Sequence, residues 1–444
     1  MSKKLITTIL TGVVFMSNMH IATLPVKAAN NSDLSVPLEN IVYVSPNGNA
    51  ENADGTIDDP FSTVEAARDY LRTKDIGKDS RGIIYLREGT YHVTNSISLT
   101  SEDSYVTYAA YKGESVEITG SATLENGKFK KLSEVSGEKY SSQTRLPSGV
   151  ADKVYVYDLG AAGIPVGDVY KNGFNWTKQP PQPEFIVNGE LQILARYPNN
   201  GTITKSHLEI PNKGGVPRDY FFDKTDYSKT YEEMLAMNGP VFCIKNLPDS
   251  AHIWAGAYDY DNVYSAVNGD MPAVNPLNDN TKYETDGWLS GYFANEYGND
   301  NVQMYSVRLH TDGKYYIYCK YPSLYGVSAN SLKVSAINLL CELDSTGEYY
   351  IDRYNDNNVL YYYPQNGVID NQSITLNAFD KPLVTMENAA GIQISGIRFT
   401  GTTNSGITMT DCELCTISGC ELYNISMDAI KIGDNNGMIT ADSG

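Results

Sequence analysis

Residues 393–401 read QISGIRFTG and residues 416–424 read TISGCELYN, the same phrase repeated 23 positions later. Laid out in that step, the C-terminal stretch resolves into columns. Val384, Ile407 and Ile430 share one column, and Met386, Met409 and Ile432 share another. Ile392 aligns with Cys415, Ile394 with Ile417, Ile397 with Cys420, and Phe399 with Leu422. The columns between them are polar: Thr385, Thr408 and Lys431; Gln393 and Thr416; Ser395 and Ser418; Arg398 and Glu421. Alternation with a period of two is the mark of a strand with one buried face. A constant step of 23 residues makes each group of strands one turn of a coil. The L-x-x-L-x-L-x-x-N signature of a leucine-rich repeat is absent. The pattern therefore predicts an all-β chain built on a right-handed parallel β-helix. Its apolar columns fill the interior, its coils stack at about 4.8 Å, and ISG marks a corner turned in successive coils.

The same texture appears upstream. GIIYLREGTYHV, SISL, YVTYAAY and VEITG, within residues 82–120, are short strands separated by Gly, Asn and Ser. Ahead of them, DPFSTVEAARDYLR (59–72) predicts a short amphipathic helix. Ser62 and Glu65 are read as its capping box, and Val64, Ala67 and Leu71 as its apolar face. Such a helix would plug the open end of the coil. Between residues 125 and 373 the period is lost. VYVYDLG, PEFIVNGELQILARYP, KYYIYCKYP and NNVLYYYP read there as longer antiparallel strands, with a tight turn at Asn188-Gly189 and a helix at 228–240. The expected organisation is a signal peptide over 1–29, a capping helix and first coils over 40–124, an inserted β-sandwich-like domain over 125–373, and incomplete coils over 374–444.

Lys3 and Lys4, the apolar run from Leu5 to Met16 and the small residues of VKAAN make the first segment a secretory signal, cut after Ala28 or Ala29. The expectation is a secreted monomer with no membrane anchor. A net charge of −19, from 53 acidic and 34 basic residues, argues against nucleic acid, anionic membranes and polyanionic polymers as partners. His92, His207, His252 and His310 show no metal-ligand spacing, and DYDNVYSAVNGD (259–270) does not match a calcium loop, so neither metal nor cofactor is expected. Of the six cysteines, Cys412, Cys415 and Cys420 crowd into one stretch; Cys415 and Cys420 fall in inward columns and are expected to be reduced and buried.

A glycosidase needs two carboxylates about a scissile bond. One polar column reads Asn388, Asp411, Asp434. Stacked one coil apart, Asp411 and Asp434 would lie about 5 Å from each other, near the separation of retaining enzymes. The same column is also what a ladder of turn-forming Asn and Asp side chains would look like. Asp428 and Glu413 are reserve candidates, each with the alternative of a solvated coil face. Arg196 is read as pairing with a carboxylate, and Glu348 as a structural or substrate-edge residue.

Several stretches, in order, carry a resemblance: YVSPNGNAENADGTIDDPFSTVEAARD, LARYPNNG (194–201), DGWLSGYFANEY (286–297), NLLCELDSTGEYYIDR (338–353) and LYYYP (360–364). Together they resemble the β-helix glycoside hydrolases of family 141, which include α-L-fucosidases and xylanases. Tyr197, Phe293 and Tyr349 stand where such proteins often carry Trp. Relatives of this kind continue for several more coils, so a chain incomplete at its C-terminus is expected. The resemblance implies a glycoside hydrolase acting on plant or other complex polysaccharides or oligosaccharides. A polysaccharide lyase using Lys431 or Arg398, and a non-catalytic glycan-binding coil, are the alternatives.

Overall fold

The computed structural model describes residues 36–49, 52–169, 182–207, 241–256, 279–309, 315–320, 323, 327–328, 330–434 and 437–439. The helix expected at 228–240 and the acidic stretch 259–270 lie outside the described residues. The fold is mostly β, and the chain divides into two compact units: residues 1–121 with 377–444, and residues 122–376.

In the first unit the strands form three sheets that the chain visits in rotation. The first sheet joins Ile41–Asn49, Gly82–Leu86, Val106–Ala110, Gln393–Ser395 and Thr416–Ser418, every pairing parallel. The second joins Ile97–Leu99, Val384–Glu387, Ile407–Thr410 and Ile430–Asp434 in parallel, with Gly437–Ile439 antiparallel at its edge. The third joins Gly89–His92, Val116–Thr119, Arg398–Thr402 and Glu421–Ile425, again parallel. Val384↔Ile407↔Ile430, Ile394↔Ile417 and Phe399↔Leu422 are all in register, which is the 23-residue step of the sequence. The corners explain the repeated ISG. Gly396 and Gly419 both take positive φ, at 68° and 60°, a conformation glycine enters without steric penalty.

Inward residues make one core. Val42, Ile84, Ile118, Ile394, Phe399 and Ile407 are each at most 3% exposed, whereas Ile417 and Ile430 in the last turns are half-buried against the same cluster. The α-helix of this unit, Val64–Arg72, buries Val64, Ala67 and Leu71 in that cluster. Its cap differs from the expected one. Thr63, not Ser62, is the N-cap and accepts from the Ala66 amide at 3.1 Å, so the helix starts one residue later. At its other end Arg72 donates two hydrogen bonds to Asp103, which is 1% exposed and also accepts the Thr100 amide.

The second unit is built mainly from antiparallel pairs. One sheet runs Arg196–Tyr197, Lys333–Ile337, Trp288–Tyr292, Asn299–Leu309, Tyr315–Cys319, Val241–Ile244, with Ile203–Thr204 also on Lys333–Ile337. Another runs Ile193–Leu194, Glu348–Asp352, Val359–Tyr362, Tyr155–Asp158, Lys130–Lys131, its first pair parallel. Asn188 and Gly189 both have positive φ and turn Glu184–Val187 back onto Glu190–Leu191, as the Asn-Gly pair requires. The stretch from 184 to 197 is four short strands rather than the longer ones expected, because after the Asn188-Gly189 turn the chain passes to a second sheet at Ile193–Leu194 and to a third at Arg196–Tyr197. The Arg196 side chain donates to the Pro198 and Gly201 carbonyls and to the Ser335 hydroxyl, so it holds the following turn rather than a carboxylate.

This unit also buries charge. Arg145 and Glu284 form an ion pair with side chains 1% and 0% exposed, and Glu284 accepts the Cys341 amide as well. Glu342 accepts from Trp254 Nε1 at 2.6 Å. Glu348 accepts the amides of Asp344 and Ser345 and closes the turn ahead of its own strand. Its burial outweighs those two donors and pushes the carboxyl up to about 7. Asp286 is pushed up to about 6, again chiefly by burial, although Trp288 Nε1 and Gln303 donate to it.

Two expectations follow. The Tyr108 hydroxyl lies in the apolar core between Ile84 and Ile394, bordering a small void lined by Leu86, Leu99, Ile118 and Phe399. It has no hydrogen-bond partner among the described residues, and burial raises its pKa well above the ordinary range. Tyr108→Phe should therefore leave stability unchanged or raise it by about 1 kcal/mol, since an unsatisfied polar group is removed. Calorimetric unfolding checks this, and a loss of more than about 1 kcal/mol would contradict it. The second expectation concerns pH. A carboxyl whose folded pKa is raised favours the fold while protonated; the contribution is full below its unfolded value and lost as pH climbs through the folded one. Glu348 and Asp286 thus make residues 122–376 less stable at pH 8 than at pH 4.5, with Glu348 supplying on the order of 3 kcal/mol. All three tryptophans lie in this unit, so denaturant melts read by tryptophan fluorescence report on it. Glu348→Gln should flatten the slope, and an unchanged slope would refute the assignment.

Candidate functional site

The outer face of the third sheet carries a cluster of charged, hydroxyl and aromatic side chains. Alternation sends Tyr91, Ile118, Phe399 and Leu422 inward, so the residues on either side face out. One outward column reads Thr90, Glu117, Arg398, Glu421, and the next reads His92, Thr119, Thr400, Tyr423. Glu117 and Glu421 therefore flank Arg398 from opposite sides, one strand away each.

The geometry is definite. Arg398 Nε donates to Glu421 Oε2 at 2.8 Å, and its guanidinium lies 5.7 Å from the centre of the Tyr423 ring. The Glu421 hydrogen bond pushes the Arg398 pKa further up, so the guanidinium stays charged. On the other side, the Thr400 hydroxyl donates to Glu117 Oε1 at 2.7 Å and lies 2.9 Å from the Thr119 hydroxyl. Thr119 and Thr400 are buried, which fixes these groups, while Arg398, Glu421 and Tyr423 are 41%, 63% and 45% exposed. Burial first, then the nearby Glu117, raises the Tyr423 hydroxyl pKa. An Arg–Glu pair on a sheet face is ordinarily worth under about 1 kcal/mol and needs no function. Here it sits beside a half-buried carboxylate and an exposed aromatic ring.

The residues proposed from sequence lie elsewhere. Asp411 follows the strand Ile407–Thr410 with φ 51°, as Asn388 follows Val384–Glu387 with φ 53°. The Asp411 amide donates to the Gly433 carbonyl as the Asn388 amide donates to Thr410, so these two residues are successive left-handed corner residues. Asp434 ends the strand Ile430–Asp434 one turn on; its side chain lies outside the described residues. Glu413 is exposed on the same corner, its amide bonded to Ala389. Asp428 belongs to another corner, 3% exposed, with the Ser405 hydroxyl 3.5 Å from Oδ2. The structure thus sets Asp411 against the turn that carries Asp434, and places Asp428 apart from both. Lys431 pairs in register with Thr408, on the outward side of the second sheet. Sequence reasoning paired Arg398 with Glu421 but missed Glu117, which is 281 positions from Arg398 in the chain, and Tyr423. The available signal was the alternation of VEITG, which puts Glu117 on the outer face once its strand is stacked on RFTGT.

The left-handed corner gives a test of its own. Asp411→Gly and Asp411→Asn should be nearly neutral to stability, and Asp411→Val should cost on the order of 1–2 kcal/mol, because only the last is strained at this φ. Thermal melts decide it, and equal tolerance of all three would contradict the ladder.

No family model matches the chain. A stretch of 83 residues is 40% identical to Pectate lyase PEL9 of Emericella nidulans, and covers 18% of this chain and 18% of that protein. A solved structure described as "Glycoside hydrolase" matches with TM-score 0.51 and 16% identity, over 86% of this chain and 61% of its own. A second, "The complex structure of XylC with xylose", matches with TM-score 0.31 and 11% identity, over 86% of this chain and 42% of its own. At 16% identity the first of these is a likeness of fold. The chain spans less than two thirds of the length of each protein it matches.

Proposed function

We propose that the chain is a secreted carbohydrate-active enzyme of the glycoside hydrolase type, related to the family-141 enzymes. Its first unit is a right-handed parallel β-helix, and residues 125–373 are a domain inserted into it. The observation that carries this reading is the outer face of the third sheet, with Glu117 and Glu421 on either side of Arg398 and Tyr423 exposed beside them. The three parallel sheets and the fold likeness to a glycoside hydrolase support it.

The chemistry runs from the charges. Arg398 orients Glu421, which is assigned the role of base toward the attacking water. Glu117 is the less exposed of the two, and the Thr400 hydroxyl fixes its Oε1, so its Oε2 is the oxygen assigned to the leaving group. Two strand spacings separate the two backbones by about 9.6 Å, and side chains turned toward each other from there can reach the roughly 6.5–9.5 Å carboxyl separation of inverting pairs. Tyr423 stacks on the sugar. The second reading is a lyase, favoured by the 83-residue likeness to a pectate lyase. Arg398 does not serve it as a base, because its raised pKa keeps it protonated; Lys431 would have to take that role.

The full chain incubated with a panel of neutral polysaccharides, and separately with pectate, should release reducing ends without ultraviolet-absorbing unsaturated products. Glu117→Gln and Glu421→Gln should each lower that rate by about 10²-fold or more. Asp411→Asn and Asp434→Asn should change it by less than about threefold, the scale of a peripheral contact. Unsaturated products on pectate would transfer the case to the lyase. Loss of activity in the two Asp variants with both Glu variants intact would move the site to the Asp411–Asp434 column.

A further inference from the structure

The outer face of the first sheet differs in chemistry from that of the third. Alternation buries Val42, Ile84, Tyr108 and Ile394 in the core, so the residues between them point out. One outward column reads Tyr43, Tyr85, Ala109, Ser395, Ser418. The column beside it reads Ile41, Ile83, Thr107, Gln393, Thr416. Neither holds a charged residue, although the chain carries a net charge of −19. The third sheet, by contrast, sets Glu117, Arg398 and Glu421 in one outward column.

The aromatic end of this face is fixed by contacts on several sides. The Tyr43 and Tyr85 rings lie 5.7 Å apart and 31° from parallel, one strand apart in their column. Tyr111 closes the group, its ring 5.4 Å from each of them and steeply inclined to both. It belongs to the turn that follows Val106–Ala110, the strand of Ala109, yet it reaches back across Gly82–Leu86 to Tyr43. Arg87 and Lys112 lie 5.1 and 4.9 Å from the centre of its ring and hold it there. Arg87 is in turn paired with Glu114 at 2.9 Å. Because Tyr111 leans away from its own strand, Tyr85 has Tyr43 on one face and turns the other toward Ala109, whose methyl is too short to cover it. Beyond Ala109 the face is floored by small polar groups, with Gln393 and Ser395 half-buried and Thr416 and Ser418 exposed.

We infer that the outer face of the first sheet is a non-catalytic docking face for a neutral polysaccharide, with one sugar ring stacked on the open side of Tyr85. A pyranose matches both parts of the face. Its C–H side packs on the phenol ring, and its hydroxyls donate to and accept from the Gln393 amide and the Ser395 hydroxyl. Charge selects the class of polymer. An ionised chain would lose hydration here against two columns that offer no opposite charge, and it would meet the repulsion of an acidic protein. A neutral chain meets neither cost. Laid along the column, it crosses strands stacked at about 4.8 Å and passes from Tyr85 over Ala109 to the two serines. No bond is made or broken on this face, and it stands on its own geometry rather than on the roles given to Glu117 and Glu421.

The test is native affinity electrophoresis of the full chain through gels cast with hydroxyethylcellulose, arabinoxylan or galactomannan, and with polygalacturonate as the charged counterpart. The expected result is retardation in at least one neutral gel and none in polygalacturonate. Tyr85→Ala and Ala109→Arg should each weaken that binding by about tenfold, the first by removing the platform and the second by covering it. Ala109→Arg leaves the three rings in place should Tyr85→Ala disturb them, and circular dichroism reports the fold of each. Tyr423→Ala should still be retarded. Dependence on Tyr85 without any release of reducing ends would sink the hydrolase reading and leave this face standing. Equal retardation of both variants and the native chain, no retardation in any neutral gel, or retardation by polygalacturonate alone would overturn it. Loss in Tyr423→Ala with Tyr85→Ala unaffected would place the sugar on the third sheet instead. A sedimenting dimer that Ala109→Arg returns to single chains would give the face to a second copy and overturn the glycan.

Discussion

Parallel strands paired at a fixed offset stack each residue directly on its own column, and that constraint governs the first unit. Because Val384, Ile407 and Ile430 lie directly above one another, a side chain suited to one turn must suit its neighbours. A shift by one residue would carry every apolar column to the solvent face. The register therefore fixes more than the core. It decides which polar residues meet on the outside, and it brings Glu117 beside Arg398 although 281 positions separate them.

That same constraint sets what the sequence could reveal. The 23-residue step was legible because adjacent turns in 384–432 have no insertion between them, and the observed pairs follow the columns one for one. Val64, Ala67 and Leu71 were legible from helical spacing, while the choice of Thr63 over Ser62 as cap depended on backbone geometry that spacing does not specify. Glu117 was hidden for a different reason. Its strand is followed by residues 122–376, so no periodic alignment reaches from it to Arg398. Asp411 drew attention as half of an acidic column, yet its left-handed φ shows the backbone demand that Asn388 meets in the turn before. Arg196 was read through its charge, and its hydrogen bonds go to carbonyls of the turn it follows into.

The two units spend polar groups differently. In residues 122–376 carboxylates are buried and satisfied by amides, an indole and an arginine, as at Glu348, Glu342 and Glu284. Such networks specify one arrangement of loops at a cost that depends on pH. In the first unit the stacked core is mostly apolar, with the Tyr108 hydroxyl as an exception; Asp103 and Asp428 are buried beside it, and Arg398 and Glu421 lie on the outer face of the third sheet. A surface that must meet a hydrated sugar is better made in the second manner, since its carboxylates remain accessible while buried threonines hold them in place.

The central claim is that the stacked register assembles a sugar-binding face from Glu117, Arg398, Glu421 and Tyr423. A crystal structure of the chain soaked with a neutral oligosaccharide tests it most directly. The account predicts a sugar ring lying on Tyr423 with its glycosidic oxygen between the Glu117 and Glu421 carboxylates. A sugar seated against the Asp411 corner, or on any face of residues 122–376, would contradict it.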